Sequence, residues 1–274
     1  MTSELTSRTA YAVAKARHRW VWRRSSNGPV VVFSMAKTGS SAVVAGLRNA
    51  GIDRPFHVHN LDPAFLAAEE AEYRWSGRPW RVWDAQQLHD RPPTPAAPWR
   101  VISMVRDPIA QTASAFFQPG LRRGYLEPGA TVDDLNARFA GRLDHLPLTW
   151  FESHLEPALG IDVFASDFDP VQGYSIIETP GVRLLLLRSE DQAVAPKAIA
   201  ELLGTEHPVE IPRVNVGSEK TYADAYASFL RALEPTAAQL DRAYSSRLVR
   251  HFYAPDEIAG FRARWTGTHD QTAR

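Results

Sequence analysis

Pro29-Val30-Val31-Val32-Phe33-Ser34-Met35-Ala36-Lys37-Thr38-Gly39-Ser40-Ser41 is the stretch on which the reading of this chain turns. Val30 to Ser34 is a short β-branched run between Asn27-Gly28-Pro29 and a glycine-bearing loop, the pattern of a buried strand. From Ser40 to Ala50 the apolar residues Val43, Val44 and Leu47 fall at helical spacing, and Gly51 stops the run. A strand, a loop and a helix start leave backbone N–H groups where an anion can sit, and the helix dipole adds to the attraction. Gly39 lets the backbone come close, Lys37 supplies a mobile cation, and Thr38, Ser40 and Ser41 supply hydroxyl donors. The stretch therefore reads as a cradle for the phosphate end of a nucleotide-like cofactor. The competing reading is an ordinary capped helix with a lysine nearby.

The loop does not follow the G-x-x-x-x-G-K-[ST] order of a Walker A motif. Its lysine precedes the glycine, and Ser34, not glycine, lies five positions upstream of Gly39. That order weighs against a magnesium-dependent kinase or NTPase.

Outward from the loop, strands and helices alternate. Pro55 to His59 and Trp80 to Trp83 read as short strands, and Trp99 to Val105 as a longer one. Asp62-Pro63 opens a helix through about Arg74, with aspartate as cap and proline in the first turn. Arg91 to Pro98 is a proline-rich surface loop, and Asp107-Pro108 starts a further capped helix. Thr131 to Leu143 and Leu146 to Leu159 read as helices, Val182 to Leu187 as a continuous apolar strand, and a helix follows from about Asp191. The last sixty residues read as helical with polar loops. This alternation predicts an α/β fold, a mostly parallel sheet covered on both faces.

Bulk properties set outer bounds. The 274 residues are 44% hydrophobic and 23% charged, ordinary values for a globular chain. Thirty-one basic and thirty-one acidic residues cancel, so no overall field favours nucleic acid as a partner. There is no cysteine, which excludes disulfides, thiolate metal sites and a cysteine nucleophile. No apolar run reaches the roughly 18 residues of a membrane span, and no signal peptide is evident, so the expected location is cytoplasmic. Lys15, Arg17, His18, Arg19, Arg23 and Arg24 interleave with Trp20 and Trp22. Such a basic helix either packs its tryptophans on the domain or makes peripheral contact with an anionic membrane.

The order lysine, hydroxyl residue, glycine, hydroxyl residue at Lys37 to Ser40 resembles the 5′-phosphosulfate loop of sulfotransferases, which use 3′-phosphoadenosine 5′-phosphosulfate (PAPS) as sulfuryl donor. That resemblance implies a second element holding the 3′-phosphate, an arginine followed eight positions later by a serine after a strand. Arg106 and Ser114 match that spacing, and Asp107-Pro108 matches the usual helix start. Geometry agrees independently. An arginine at a strand end can fork onto a phosphate while a serine two turns along the helix donates from the side. The alternative is an arginine paired with Asp107 and a serine tucked into its helix.

Looser patterns resemble a bacterial branch of capsular polysaccharide synthesis proteins. They include Trp150-Phe151, Gly160-Ile161-Asp162-Val163, Phe168-Asp169, Gly173-Tyr174, Leu186 to Asp191, Asn215 to Tyr222, and Phe252-Tyr253 to Trp265. Together the likenesses cover most of residues 29–265. They imply a three-layer, P-loop-like sulfotransferase fold with a helical C-terminal region, preceded by a basic helix in residues 1–28 and followed by a tail in 266–274.

What the resemblance implies chemically is in-line sulfuryl transfer from PAPS to a hydroxyl of a carbohydrate or small metabolite, with no metal. Lys37 would steady charge on the bridging oxygen, and a histidine or carboxylate would take the acceptor's proton. Phe56-His57-Val58-His59-Asn60 supplies the candidates: if extended, His57 and His59 share one face. By position His57 leads, with His59 as partner or substitute. Arg213, Asn215 and Lys220 lie where sulfotransferases close over the cofactor, although the usual Arg-Lys-Gly pattern is absent. Asp84 and Gln86, and Arg122, Arg123 and Tyr125, could reach an acceptor or lie on the surface. Glu190-Asp191 reads as the cap of the next helix. The competing functions are a nucleotide-dependent kinase with an atypical loop and a non-catalytic nucleotide-binding protein on the same fold.

Overall fold

The structure, a computed structural model, describes residues 11–16, 28–73, 80–122, 131–213 and 223–266. The β-branched run forms β1 (Val30–Phe33), buried on every residue. It pairs in parallel with β2 (Phe56–Val58) on one side and β3 (Trp99–Val105) on the other. Beyond β3 lies β5 (Val182–Arg188), parallel and in register over seven pairs, and then β4 (Tyr174–Glu178), antiparallel at the edge. The order across the sheet is β2-β1-β3-β5-β4.

Buried residues alternate between the two sheet faces, as the two-residue period of a strand requires. Val30, Val32, Ile102, Met104, Leu185 and Leu187 pack with α1 (Ser40–Asn49) and α7 (Ala195–Leu203). Val31, Phe33, Val101, Val105, Leu184 and Leu186 face a larger core on the opposite side. That side is built from α2 (Pro63–Tyr73), α3 (Trp80–His89), α4 (Pro108–Arg122), α5 (Val132–Ala140) and the C-terminal helices. The helix after the short α6 (Glu156–Leu159) is α7; those that close the chain are α8 (Ala223–Arg231), α9 (Ala237–Tyr244), α10 (Arg247–Phe252) and α11 (Pro255–Trp265). An α/β fold with a mostly parallel, helix-flanked sheet is thus observed. Among the described residues no helix is long and apolar enough to cross a membrane.

Several expectations need correction. Trp80 to Trp83 begins a helix, not a strand. Val82, Ala85 and Leu88 recur at three-residue spacing and are buried, with Trp83 and Gln87 beside them. Four positions, three of them aromatic or β-branched, read alone hid that period. Leu146 to Leu159 is not one helix: a turn leads into a π-helical segment, Phe151–Leu155, and then α6. The helix expected from Thr131 to Leu143 ends at Ala140, and a 3-10 turn, Leu143–His145, follows. The helix expected from about Asp191 starts at Ala195, and Val194 precedes it without a side-chain cap. Glu190 and Asp191 therefore do not cap it. Glu190 Oε1 accepts the Asp107 N–H (2.9 Å) and Oε2 the Tyr253 hydroxyl (3.0 Å), while Asp191 pairs with buried Arg188. Strand β4 was not anticipated.

Of the basic N-terminal segment, residues 17–27 lie outside the described residues. Tyr11 and Lys15 dock on α2 and α3: the Tyr11 hydroxyl and Lys15 Nζ both donate to Glu70 Oε1 (2.8 and 2.6 Å), and Gln86 Nε2 donates to Oε2 (2.7 Å). Trp83 Nε1 donates to the Tyr11 oxygen, with the two rings edge to face. Burial alone would raise the Glu70 pKa, but the bonds from Lys15, Gln86 and Tyr11 outweigh it and bring the carboxyl down to about 2. A depressed folded-state pKa stabilises the folded form above the unfolded value of 4.5 and loses that contribution as pH falls towards 2. Docking of residues 11–16 should therefore loosen across that window, by about 1 kcal/mol after allowance for solvent screening. Limited acid-stable proteolysis checks this: N-terminal cleavage should rise between pH 4.5 and 3 in the wild type and already be fast at pH 7 in Glu70→Gln. Equal cleavage rates at both pH values would contradict it.

Candidate functional site

Strands β1, β2, β3 and β5 run parallel, so the residues at their carboxyl ends gather at one edge of the sheet. Those residues are the Ser34 to Gly39 loop, His59, Arg106 and Ser189. The chain leaves β1 for β2 on one side and then crosses to β3 on the other, which makes the β1/β3 boundary a topological switch point. In open α/β sheets the crevice there is where ligands bind.

The loop is held in a particular way. Four successive carbonyls accept hydrogen bonds from side chains. Met35 O accepts from the Thr38 hydroxyl (2.9 Å), with Ser34 Oγ also in reach (3.1 Å). Ala36 O accepts from Gln111 Nε2 (2.7 Å), Lys37 O from Arg106 Nη1 (3.0 Å), and Thr38 O from the Ser189 hydroxyl (2.6 Å). Among the described residues no peptide is cis, and in a trans peptide the N–H points opposite to the preceding carbonyl. Fixing those four carbonyls therefore fixes the N–H groups of Ala36, Lys37, Thr38 and Gly39 on the other side. Lys37 and Gly39 both adopt left-handed conformations (φ of 69° and 88°). For glycine that costs little; for lysine it costs about 1 kcal/mol. Gly39 is also the N-cap of α1 and offers no side-chain cap, so the first-turn N–H groups of Ser40 and Ser41 are uncapped as well.

Strain at Lys37 gives a separable prediction. Lys37→Gly should leave the melting temperature equal or raise it by about 2 °C, because it relieves the left-handed lysine. It should at the same time remove nucleotide binding. A clear drop in melting temperature would show that the Lys37 side chain braces the fold.

Arg106 follows β3 and is half-buried. The Asp107 carboxylate does not pair with it. That carboxylate is fully buried, accepting from Ile109 N–H (3.0 Å), the Tyr244 hydroxyl (3.0 Å) and Trp265 Nε1 (3.3 Å), and burial pushes its pKa up. Among the described residues no carboxylate lies within ion-pair distance of the Arg106 guanidinium, whose hydrogen bond goes to Lys37 O. Ser114, half-buried on α4, likewise has no protein partner for its hydroxyl among the described residues.

His57 and His59 do share a face, their rings 4.8 Å apart and edge to face. His57 Nε2 and Ser40 Oγ are hydrogen-bonded at 2.9 Å, which ties β2 to the first turn of α1. His59 Nδ1 lies 2.7 Å from Ser34 O. A carbonyl only accepts, so Nδ1 carries the proton; in the neutral form of the ring the lone pair is then on Nε2. A third histidine, His154, is half-buried against Trp150 in the π-helical segment. Its pKa is lowered by burial, with Asp62 partly opposing.

Other candidates fall elsewhere. Thr38 is fully buried and its hydroxyl is committed to Met35 O, so it faces the crevice with its backbone. Asp84 is buried in α3 and pairs with Arg54 (2.7 Å), and Gln86 serves Glu70. Arg213 is exposed and makes no hydrogen bond or ion pair among the described residues. Arg122 ends α4, while Arg123, Tyr125, Asn215 and Lys220 lie outside the described residues. Two residues that hold the loop, Gln111 and Ser189, were not singled out as site residues. The signal for Gln111 was its place in the first turn of α4, one turn beyond Asp107. Among the described residues no group of three or more His, Asp or Glu side chains is arranged to hold a metal ion.

Residues 129–254, just under half of the chain, match the NKWYS family, described as "Putative capsular polysaccharide synthesis protein". The chain is similar to that family over α5, β4, β5 and α6 to α10. The phosphate-binding candidates at 34–41 and 106–114 lie outside the matched residues. No curated protein and no solved structure matches the chain.

Proposed function

We propose that the chain is a PAPS-dependent sulfotransferase that transfers a sulfuryl group to a hydroxyl of a saccharide. One observation carries this reading: a half-buried Arg106 with no carboxylate partner among the described residues stands beside a loop whose carbonyls from Met35 to Thr38 are each held by a side chain. Half-buried cations are normally paired, so a missing partner points to an anionic ligand. Two sets of anion-binding groups, the loop and Arg106 with Ser114, suit a nucleotide phosphorylated at both ends of its ribose. The NKWYS match supports a saccharide as acceptor.

The bound nucleotide supplies a good leaving group at sulfur; the chain supplies position and charge. Backbone N–H groups of residues 36–41 and the Lys37 ammonium hold the anionic end. Arg106 braces Lys37 O through Nη1, and its remaining N–H donors would be the ones to hold the second phosphate. Ser114 donates from the side. His59 is oriented by Ser34 O so that Nε2 can take the proton of the attacking hydroxyl, and His57 holds Ser40 in place. This division differs from the positional preference for His57 and rests on the tautomer that Ser34 O imposes.

Incubation with sulfur-labelled PAPS and a mixed panel of saccharides tests the activity. Label should pass to saccharide only with active enzyme. Label released solely as inorganic sulfate, or retained on the nucleotide across the panel, would count against transfer.

A further inference from the structure

Past the ends of β3 and β5 the two-residue alternation of the strands carries on. Met104 and Leu187 pack on the side of α1, and two positions further on Arg106 and Ser189 donate to Lys37 O and Thr38 O of the loop that opens that helix. Val105 and Leu186 face the larger core. The residues that continue their side, Asp107, Arg188 and Glu190, turn to the C-terminal helices. The two strand ends are also joined directly: Ser189 N–H donates to Val105 O (2.8 Å) and Asp107 N–H to Glu190 Oε1 (2.9 Å). The loop is thus gripped on one side by residues whose immediate neighbours are gripped on the other.

These contacts meet at Asp107, where three helix ends converge. Tyr244, the last residue of α9, donates to its Oδ1 (3.0 Å), and Trp265, the last of α11, to its Oδ2 (3.3 Å). Tyr253, directly after α10, donates to Glu190 Oε2 (3.0 Å), and Glu190 in turn accepts the Asp107 N–H. Asp107, Tyr244, Tyr253 and Trp265 are buried, while Glu190 is exposed. Burial and the neighbouring carboxylates push the pKa of both phenols up, so each stays a donor throughout the neutral range. The N–H that Glu190 holds belongs to the peptide between Arg106 and Asp107. A peptide is planar, so holding it restricts the direction in which the Arg106 side chain leaves the backbone. Burying the Asp107 carboxylate costs desolvation that an apolar side chain would avoid. What it supplies here is direction at the neighbouring arginine.

We propose that Tyr244 and Tyr253, acting through Asp107 and Glu190, are positioning residues that aim the Arg106 guanidinium at the second phosphate. The C-terminal helices then serve as a backstop for the nucleotide site, working through Asp107 rather than on the nucleotide itself. Tyr244, Tyr253 and Glu190 belong to the segment matched by the capsular polysaccharide family, whereas Arg106 and the loop lie outside it. The assignment rests on the sulfotransferase reading for the identity of the ligand, but not for the aiming of Arg106 at an anion.

Calorimetric titration of the full chain with adenosine 3′,5′-bisphosphate, adenosine 5′-monophosphate and inorganic pyrophosphate tests it. Tyr244→Phe and Tyr253→Phe should each weaken the bisphosphate about tenfold, as removal of an outer partner that orients a ligand-holding group does, and leave the monophosphate within about twofold. In an Arg106→Ala background neither change should weaken the bisphosphate further, because the route ends at Arg106. Glu190→Gln can still accept the Asp107 N–H through Oε1 and donate to the Tyr253 oxygen through Nε2, so it should keep the affinity that Glu190→Ala loses. Tyr174→Phe, which removes a buried hydroxyl bonded to Glu201 (2.8 Å) on the edge strand β4, should leave both nucleotides unaffected. Should one tyrosine variant not fold, the other and the Glu190 pair decide the matter. Unchanged bisphosphate binding in the tyrosine variants, equal weakening of the monophosphate, or full additivity with Arg106→Ala would overturn the proposal and leave the cofactor assignment standing. Pyrophosphate that binds with this dependence on Arg106 and the tyrosines, beside a bisphosphate that does not bind, would sink the sulfotransferase reading and leave the positioning assignment standing. No binding of any of the three by the wild type would overturn both.

Discussion

Arg106→Ala is expected to weaken adenosine 3′,5′-bisphosphate about 100-fold, while the melting temperature of the unliganded protein falls by only a few degrees. The large effect comes from removing charge-assisted hydrogen bonds to a phosphate in a half-buried crevice, worth about 2.7 kcal/mol. The small effect is the loss of one neutral bond, Arg106 Nη1 to Lys37 O, worth about 1 kcal/mol. Two further measurements separate binding from bracing. Arg106→Lys keeps the charge but not the fork, and should recover only part of the affinity. Adenosine 5′-monophosphate, lacking the 3′-phosphate, should bind wild type and Arg106→Ala almost equally. If the monophosphate loses affinity as steeply as the bisphosphate, Arg106 acts through the loop rather than on the second phosphate.

The second large effect concerns the histidines. His59→Ala should lower kcat about 10²–10⁴-fold, the usual contribution of a positioned general base, with bisphosphate affinity unchanged within about twofold. His57→Ala should do the reverse in kind: its bond to Ser40 Oγ steadies the first turn of α1, so its loss should weaken nucleotide binding and lower kcat less. Steady-state kinetics and calorimetry on the two variants resolve the roles. A greater kcat loss in His57→Ala than in His59→Ala would reverse the assignment.

The sheet and the places of its crossovers were legible because they rest on local signals. The Val30 to Phe33 run, the Asp62-Pro63 and Asp107-Pro108 helix starts and the apolar Val182 to Leu187 stretch each carry their own period or punctuation. Errors arose where too short a window was read or where a tertiary contact overrides local preference. Trp83 sits in a helix whose buried period shows only beyond the four residues read as a strand, and Glu190 faces Asp107 and Tyr253 rather than the helix that follows it. Strand β4 exists because β5 offers it an edge; its own residues are only partly buried and show weak alternation.

Within the candidate site, the loop, Arg106 and the two histidines were visible as residue types in a pattern. Their bracing was not. Nothing in the sequence connects Gln111 or Ser189 to particular loop carbonyls, because those bonds span 75 and 151 positions. The tautomer of His59 depends in the same way on a carbonyl 25 positions upstream.

The most direct test of the central claim is the thermal shift of the wild-type protein with adenosine 3′,5′-bisphosphate beside ATP with magnesium. At a ligand concentration of 100 times Kd, binding to the folded state alone adds about 2.7 kcal/mol. The account predicts a rise of several degrees with the bisphosphate, its loss in Lys37→Ala and Arg106→Ala, and little or no shift with ATP. Stabilisation by ATP and magnesium with none by the bisphosphate would contradict it.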